Sequence, residues 1–568
     1  MTVSEYLIRR MREFGIDHVF AVPGDYAGPF LATVDATRAV TRVGTTNELV
    51  AGYAADGYAR VRGAGAACVT YGVGTFCALN GLAGSYVEQV PVLLIVGSPS
   101  RKNRRIERTE GVLYHHSTGR MTADSDSVQN VVVAREVISS ARKAPRQIDR
   151  AIGEAMRWRR PAYIEVWQDV WSKECAAPDG PLVPKPLPLN ERALDRAVEQ
   201  AMTRLRRAHT PVLWAGLEIQ RHGLQGALKK MLRSTGLSYA TDLIGKGVIA
   251  ETTKGFVGVY DGASASEHVR TLLETSDCVL GLGNLVTDDF LDLIQKNYDN
   301  MVLAWNNTVR VGRVTHNRVP ITLFVERLLE RMQEEGYRAP GAARPRLEGM
   351  RNARRERRML LSKAVADAAP PGQVTYDAFF QRMREWVDAD MVLLADTTIA
   401  LYSAAELPIY RHDGFIAQAA WNSIGYTPGA ALGAACGDPA GRRPVVFVGD
   451  GGFQMSAQAL SDIVRIGRGA VVCIFNNALY GIEQAFVDVS FYTEGGAPDP
   501  FCVLHGWDYA KLVDLFGGGW AATVHTVEQL DAALATAKAN SDMLSILDLR
   551  IPERDITPQM LALAQPPA

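Results

Sequence analysis

GDGGFQMSAQALSDIVRIGRGAVVCIFNNALYGIEQ, Gly449 to Gln484, is entered from the apolar run PVVFV at 444–448. Three glycines surround one aspartate where that run stops. In the next stretch Phe453, Leu460, Ile463 and Val464 fall close to one helical face. A second apolar run, AVVCIFNN (470–477), then ends on two asparagines. Strand, glycine turn, helix and strand form the unit of a parallel sheet, whose neighbouring strands need a crossover of helical length.

The same rhythm recurs on both sides. HVFAV (18–22), AACVTYGVG (67–74), VPVLLIVG (90–97) and PAYIEVWQDV (161–170) are near-continuous apolar runs, the pattern of strands covered on both faces. APDGPLVPKPLPL (177–189) reads as a linker. TPVLWAG (210–216), SDCVLGLGN (276–284) and MVLAWNN (301–307) make a second group. EEGYRAPGAARPRLEGMRNARRERR (334–358) reads as a second linker with solvated arginines. DMVLLADTT (390–398), the Gly449 region and MLSILDL (543–549) make a third group. The expectation is an α/β chain of three domains, 1–176, 190–335 and 360–555, each a parallel sheet flanked by helices. A length of 568 residues agrees, because single cores rarely grow beyond about 250.

A formal net charge of −1 offers no field for nucleic acid and no polybasic patch for a membrane. Seven cysteines without a CxxC pair argue against a zinc or redox motif and for buried free thiols. MTVSEYLIRRMREFGI reads as an amphipathic helix, and with no leader or span in view a cytoplasmic protein is expected.

At the carboxyl ends of parallel strands, helix N-termini and glycine backbones gather phosphates. Asp450 offers a hard anionic oxygen there and Asn477 a neutral one. With a backbone carbonyl and phosphate oxygens they make a shell suited to Mg²⁺ or Ca²⁺. A plain turn with an asparagine cap is the bland alternative. Taken alone, Glu48 reads as an acid at a helix start, Asp25 as a turn residue and Ile424 as core. The adjacent His115 and His116, in YHHSTG (114–119), suit proton transfer near neutral pH.

The Gly449 span resembles the diphosphate-binding motif of thiamine diphosphate (ThDP) enzymes, and the likeness covers most of the chain. It is strongest to the pyruvate and indolepyruvate decarboxylase family, through VFAVPGDYAGPF (19–30), TTNELVAGYAADGYAR (45–60), YHHSTG, IGKGVIAE (244–251), WNSIGY (421–426) and WDYAKL (507–512). The resemblance implies that the first domain grips the pyrimidine end of the cofactor and the third its diphosphate. It implies a site shared by two subunits, hence a homodimer at minimum and a homotetramer as the expected assembly. Glu48 then donates to the aminopyrimidine, so that the 4′-amino group can deprotonate the thiazolium, and Ile424 supports the bent cofactor. Thr397, Asp450, Gly451, Gly452 and Asn477 hold the cofactor, with Asp450, Asn477 and the Leu479 carbonyl on Mg²⁺. Asp25, His115, His116 and Glu483 complete the ionisable set. The implied reaction is decarboxylation of a 2-oxo acid to an aldehyde and CO₂. The histidine pair resembles the decarboxylase branch rather than the acetolactate synthase branch.

The pattern departs from the family in places. NNALYGIEQ displaces the usual glycine to Gly481, and GDGG lacks the usual serine. Leu401 stands where pyruvate-specific members carry a large aromatic, which favours an aromatic or longer-chain substrate, while Phe486 narrows the mouth. Three rivals remain: a carboligase forming acyloins with the same residues, an NAD oxidoreductase using GLGN (281–284), and a non-catalytic oligomer. GLGN lacks the third glycine of the dinucleotide fingerprint.

Overall fold

The structure is a computed structural model and describes residues 1–340 and 372–564. From residue 341 on, the second expected linker lies outside the described residues, as do residues 360–371 of the expected third domain.

Three sheets are present. In the first, the spatial order is Thr41–Gly44, His18–Ala21, Gly65–Thr70, Val92–Ser98, Ala162–Trp167 and Ala134–Ile138, every neighbour parallel. Successive residues point to opposite faces. Val92, Leu94 and Val96 therefore pack under the helices Glu48–Arg62 and Val73–Val87, while Leu93 and Ile95 pack under Val3–Glu13 and Ala144–Trp158. This two-sided burial is what makes the strands read as unbroken apolar runs.

The third sheet repeats the arrangement in the order Phe415–Ala417, Met391–Ala395, Arg443–Gly449, Ala470–Asn476, Leu544–Arg550 and Trp520–Val524, again all parallel. The middle sheet is mostly parallel. Five parallel strands end in an antiparallel edge pair, Thr308–Val311 and Val314–Asn317, laid against Met301–Trp305. Only Gly312 and Arg313 separate the two edge strands, and so short a connection permits a hairpin but no parallel crossover.

The first and third domains share one apolar core through the helices Glu48–Arg62 and Tyr426–Gly437. Small residues let these helices nearly touch. A Cβ on Gly433 would lie 1.9 Å from the Ala54 carbonyl oxygen, and one on Gly57 would lie 2.3 Å from that of Ala430. Ala51, Gly52, Ala54 and Ala55 on the first of these helices are all buried.

The Gly449 region differs locally from its reading as a turn. Gly449 caps a helix that begins at Asp450 itself, and the expected single helix breaks into Asp450–Ser456 and Ala459–Arg465. Gly449, Gly451 and Gly452 do not adopt positive φ. They are required by close neighbours instead: a Cβ on Gly451 would sit 2.5 Å from Tyr480 Cε1, and one on Gly452 would sit 3.2 Å from the Gly425 nitrogen. Among the described residues no helix is long and apolar enough to cross a membrane.

Candidate active site

The candidate cofactor, metal and proton-transfer residues lie at the carboxyl edges of the first and third sheets, where parallel strands deliver loops and helix starts. The first sheet carries Asp25, Glu48, His115 and His116. Asp25 is exposed in the turn after His18–Ala21. Glu48 is the first residue of its helix, whose cap is Asn47, with Oδ1 accepting the Val50 N–H at 2.8 Å. The helix dipole favours an acid at that end. Glu48 is half-buried, and the pKa of the nearby Cys77 thiol is raised by burial and by this carboxylate. His115 and His116 are exposed in a turn after the helix Arg101–Glu110, and His116 adopts φ 72°.

The third sheet carries Thr397, Ile424, Asp450, Gly451, Gly452, Asn477, Leu479 and Glu483. The Asp450 side chain is almost sealed, with 1% of the residue exposed. Its Oδ1 accepts the Gly451 N–H at 3.0 Å and its Oδ2 the Ala478 N–H at 2.8 Å. Burial nevertheless pushes the carboxyl up to about 7, against the opposing pull of those N–H groups. The two asparagines divide their work. Asn476 belongs to the strand and donates to the buried Asp548 at 2.8 Å. Asn477 lies in the loop, accepts the Leu479 N–H at 3.2 Å, and has a buried Nδ2 with no partner among the described residues.

These observations allow a test of fit for a divalent cation and a diphosphate. A desolvated carboxylate and an unsatisfied buried amide stand one strand apart, beside glycines whose neighbours leave no space for a side chain. The carboxylate and amide oxygens suit Mg²⁺, and the unpartnered Nδ2–H suits a phosphate oxygen, so the residues fit the group. Among the described residues no three His, Cys, Asp or Glu cluster as a metal site.

Ile424 is only half-buried, on a loop between the Phe415–Ala417 strand and the Tyr426–Gly437 helix, so the reading as core does not hold for it. Ser423 beside it bonds Tyr53 at 2.7 Å and Asn80 at 2.9 Å, tying the loop to both helices of the first domain. Thr397 donates to the Asn422 side chain at 3.3 Å. Glu483 is exposed on the helix Gly481–Val487, and Phe486 on the same helix is 53% exposed. Leu401 is enclosed in the core of the third domain, 2% exposed. Among the described residues no hydrogen bond or ion pair joins Asp25, His115 or His116 to Asp450, Asn477 or Glu483. Each sheet edge carries half of the set.

Sequence reasoning missed Asp396. Its buried carboxylate accepts the N–H groups of Gly425 and Thr427, both at 2.9 Å, and fixes the start of the helix that follows Ile424. An acid immediately after an apolar strand, in ADTT, was the available signal. The glycines of GLGN are explained without a nucleotide. A Cβ on Gly283 would lie 2.7 Å from Glu218 Cβ, so they serve packing inside the middle domain.

Comparison with known proteins matches three segments of the chain. Residues 1–126 match the N-terminal TPP binding domain of the thiamine pyrophosphate enzymes, 198–332 the central domain and 397–549 the C-terminal TPP binding domain. An α-keto-acid decarboxylase of Mycobacterium avium (strain 104) is 31% identical over 100% of this chain and 96% of its own length. An α-keto-acid decarboxylase of Mycobacterium tuberculosis (strain ATCC 25618 / H37Rv) is 30% identical over 99% of this chain and 96% of its own. Pyruvate decarboxylase 1 of Oryza sativa subsp. japonica is 29% identical over 99% and 90%.

Proposed function

Since the chain belongs to the thiamine pyrophosphate enzyme family, we propose that it is a ThDP- and Mg²⁺-dependent decarboxylase that converts a 2-oxo acid to an aldehyde and CO₂. The observation that carries the reading is the pair at the third sheet edge: Asp450, buried with no cationic partner among the described residues, and Asn477, whose buried Nδ2–H lacks an acceptor such as a phosphate oxygen would supply. Thiamine diphosphate, when bound, supplies an electron sink for the bond pair released as the carboxylate leaves.

The chain's own residues do the rest. Asp450, Asn477 and the Leu479 carbonyl hold the cation. Thr397, Gly451 and Gly452 would receive the diphosphate, and Ile424 would pack against the cofactor. Glu48 hydrogen-bonds the pyrimidine ring at the positive end of its helix. Asp25, His115, His116 and Glu483 deliver and remove protons at the substrate carbon and oxygen. The half-sets on two sheet edges support completion by a second copy of the chain. So do the exposed apolar side chains beside them, Val73, Phe76, Leu113, Phe486 and Phe501. We take the assembly as a homodimer at minimum and a homotetramer in full. We favour an aromatic or longer-chain 2-oxo acid over pyruvate on the sequence likeness at Leu401, not on its packing, which encloses it in the third domain's core.

A CO₂-release screen over pyruvate, branched-chain, phenylpyruvate and indolepyruvate substrates, with ThDP and Mg²⁺ added, tests the reading. Release of CO₂ with free aldehyde is expected, highest on the bulkier acids. No CO₂ from any of them would overturn the decarboxylase reading. Acyloin in place of aldehyde, with an aldehyde in excess, would show the carboligase instead.

A further inference from the structure

Tyr71 directly follows the central strand Gly65–Thr70 and is 7% exposed. Its hydroxyl donates to the His115 carbonyl oxygen at 2.5 Å. Its ring meets two others edge-on: Tyr26 at 5.2 Å and 84° between centroids and planes, and the His116 imidazole at 6.1 Å and 77°. Tyr26 is the neighbour of Asp25. One side chain therefore touches both segments that carry the ionisable groups of the first sheet edge.

The surroundings show that this loop is held rather than relaxed. His116 has φ 72°, a left-handed backbone that costs about 1 kcal/mol or more for a residue with a Cβ. Such a conformation persists only where neighbours impose it. Gly72 is one of these neighbours: a Cβ there would lie 2.1 Å from the His116 carbonyl oxygen. The Gly72 N–H is in turn fixed by Asp124 Oδ2 at 2.6 Å. The Tyr71 hydrogen bond is the polar contact made to the histidine backbone from this side. The phenol keeps its proton at all working pH values, because burial raises its pKa, with Tyr26 and Glu107 adding to the effect.

We propose that Tyr71 is a positioning residue for the His115–His116 pair, its hydroxyl fixing the His115 carbonyl and its ring setting the His116 imidazole against the Asp25 segment. This rests on the proposed function, in which the two histidines move protons.

Tyr71→Phe keeps the ring and removes only the hydrogen bond, so it leaves the packing intact. The full-length enzyme is assayed with ThDP, Mg²⁺ and the best 2-oxo acid, and the pH profile of kcat/KM is recorded. The histidines are followed by NMR of Cε1-labelled protein, with His115→Gln and His116→Gln used for assignment. The expected result is a roughly fivefold lower kcat/KM, a displaced limb of the pH profile and moved His115 and His116 resonances. ThDP affinity and the thermal midpoint stay unchanged. An unchanged pH profile, or resonances that stay in place, overturns the positioning role. If His115→Gln and His116→Gln are inactive while Tyr71→Phe is indistinguishable from the parent, the inference alone fails. If both histidine variants turn over normally, the failure belongs to the functional reading of the pair.

Discussion

Asp450→Asn separates the cost of the buried carboxylate from its use. Without a cation, burial holds the carboxyl at about 7, against about 3.9 in an unfolded chain. That gap corresponds to about 4 kcal/mol of penalty for ionising the group in the folded protein. The sign follows from proton linkage. Both states are protonated below about pH 4 and no penalty exists. The unfolded chain loses its proton first as pH rises, and the penalty is complete once pH passes the folded value of about 7. Asparagine removes it. The substitution also has a cost, because the carboxylate accepts two N–H groups, from Gly451 and Ala478. An amide can accept only one and points its own N–H₂ at the other, worth about 1–3 kcal/mol. Cofactor-free at pH 8, the variant is therefore expected to be as stable as the parent or more stable, by up to about 3 kcal/mol. With Mg²⁺ and ThDP at about 100 times Kd the parent gains about 2.7 kcal/mol and the variant nothing. The assay is thermal unfolding at pH 8 with and without both ligands. On adding them the parent's midpoint rises and the variant's does not. A variant whose midpoint rises with the ligands as much as the parent's would refute the assignment of Asp450 to the cation.

Gly433→Ala places a methyl group 1.9 Å from the Ala54 carbonyl oxygen, a clash with helix backbone that cannot move aside. The expected outcome is a loss of several kcal/mol, visible in a urea titration, and weakened ThDP binding, since the same helix pair carries Glu48 and follows Ile424. Asp242 and Asp261 are pushed up to about 7 and Glu218 to about 6, each chiefly by burial. Their contribution to stability is whole below about pH 4 and is lost as pH rises through 6 to 7, so urea midpoints fall over that window. Asp261→Asn flattens the slope by up to about 1.4 kcal/mol per pH unit, and an unchanged slope would remove this cause. Glu48→Gln is expected to bind ThDP yet lose about two or more orders of magnitude in turnover. Asp25→Asn and Glu483→Gln should also retain cofactor and turn over poorly. Calorimetric binding beside steady-state rates checks all three, and normal rates in all would void their roles.

The central strands were legible because both their faces are buried. VLLIV, VVFVG and VVCIF have no polar face to disturb the pattern. Some strands that were missed have one covered face or little cover at all: Thr41–Gly44, Val314–Asn317 and Phe256–Tyr260 alternate or mix exposure over four or five residues. Ser238–Asp242 and Phe415–Ala417 are buried, Ser238 apart, but were missed as well, the first because it carries serine, threonine and aspartate, the second because it spans three residues. Asp450 and Asn477 were legible because each ends a recognisable strand. The start of the helix at Asp450 was not, since glycines at 451 and 452 look like a turn until Tyr480 and Gly425 are seen beside them. The different fates of Asn476 and Asn477 depend on Asp548, seventy-two positions away. The buried network in which Arg60 bonds Asp56, Glu88 and the Ala417 carbonyl joins segments up to 357 positions apart. No local pattern encodes such a partner set. The left-handed backbone of His116 is equally silent, because its cause is a neighbouring glycine rather than its own side chain.

The structure of the chain crystallised with ThDP and Mg²⁺ tests the account most directly. The account predicts a cation at about 2.1 Å from oxygens of Asp450, Asn477 and the Leu479 carbonyl, with a Glu48 carboxylate bonded to the pyrimidine ring. ThDP bound elsewhere, or those three oxygens turned away from an empty cleft, would contradict it.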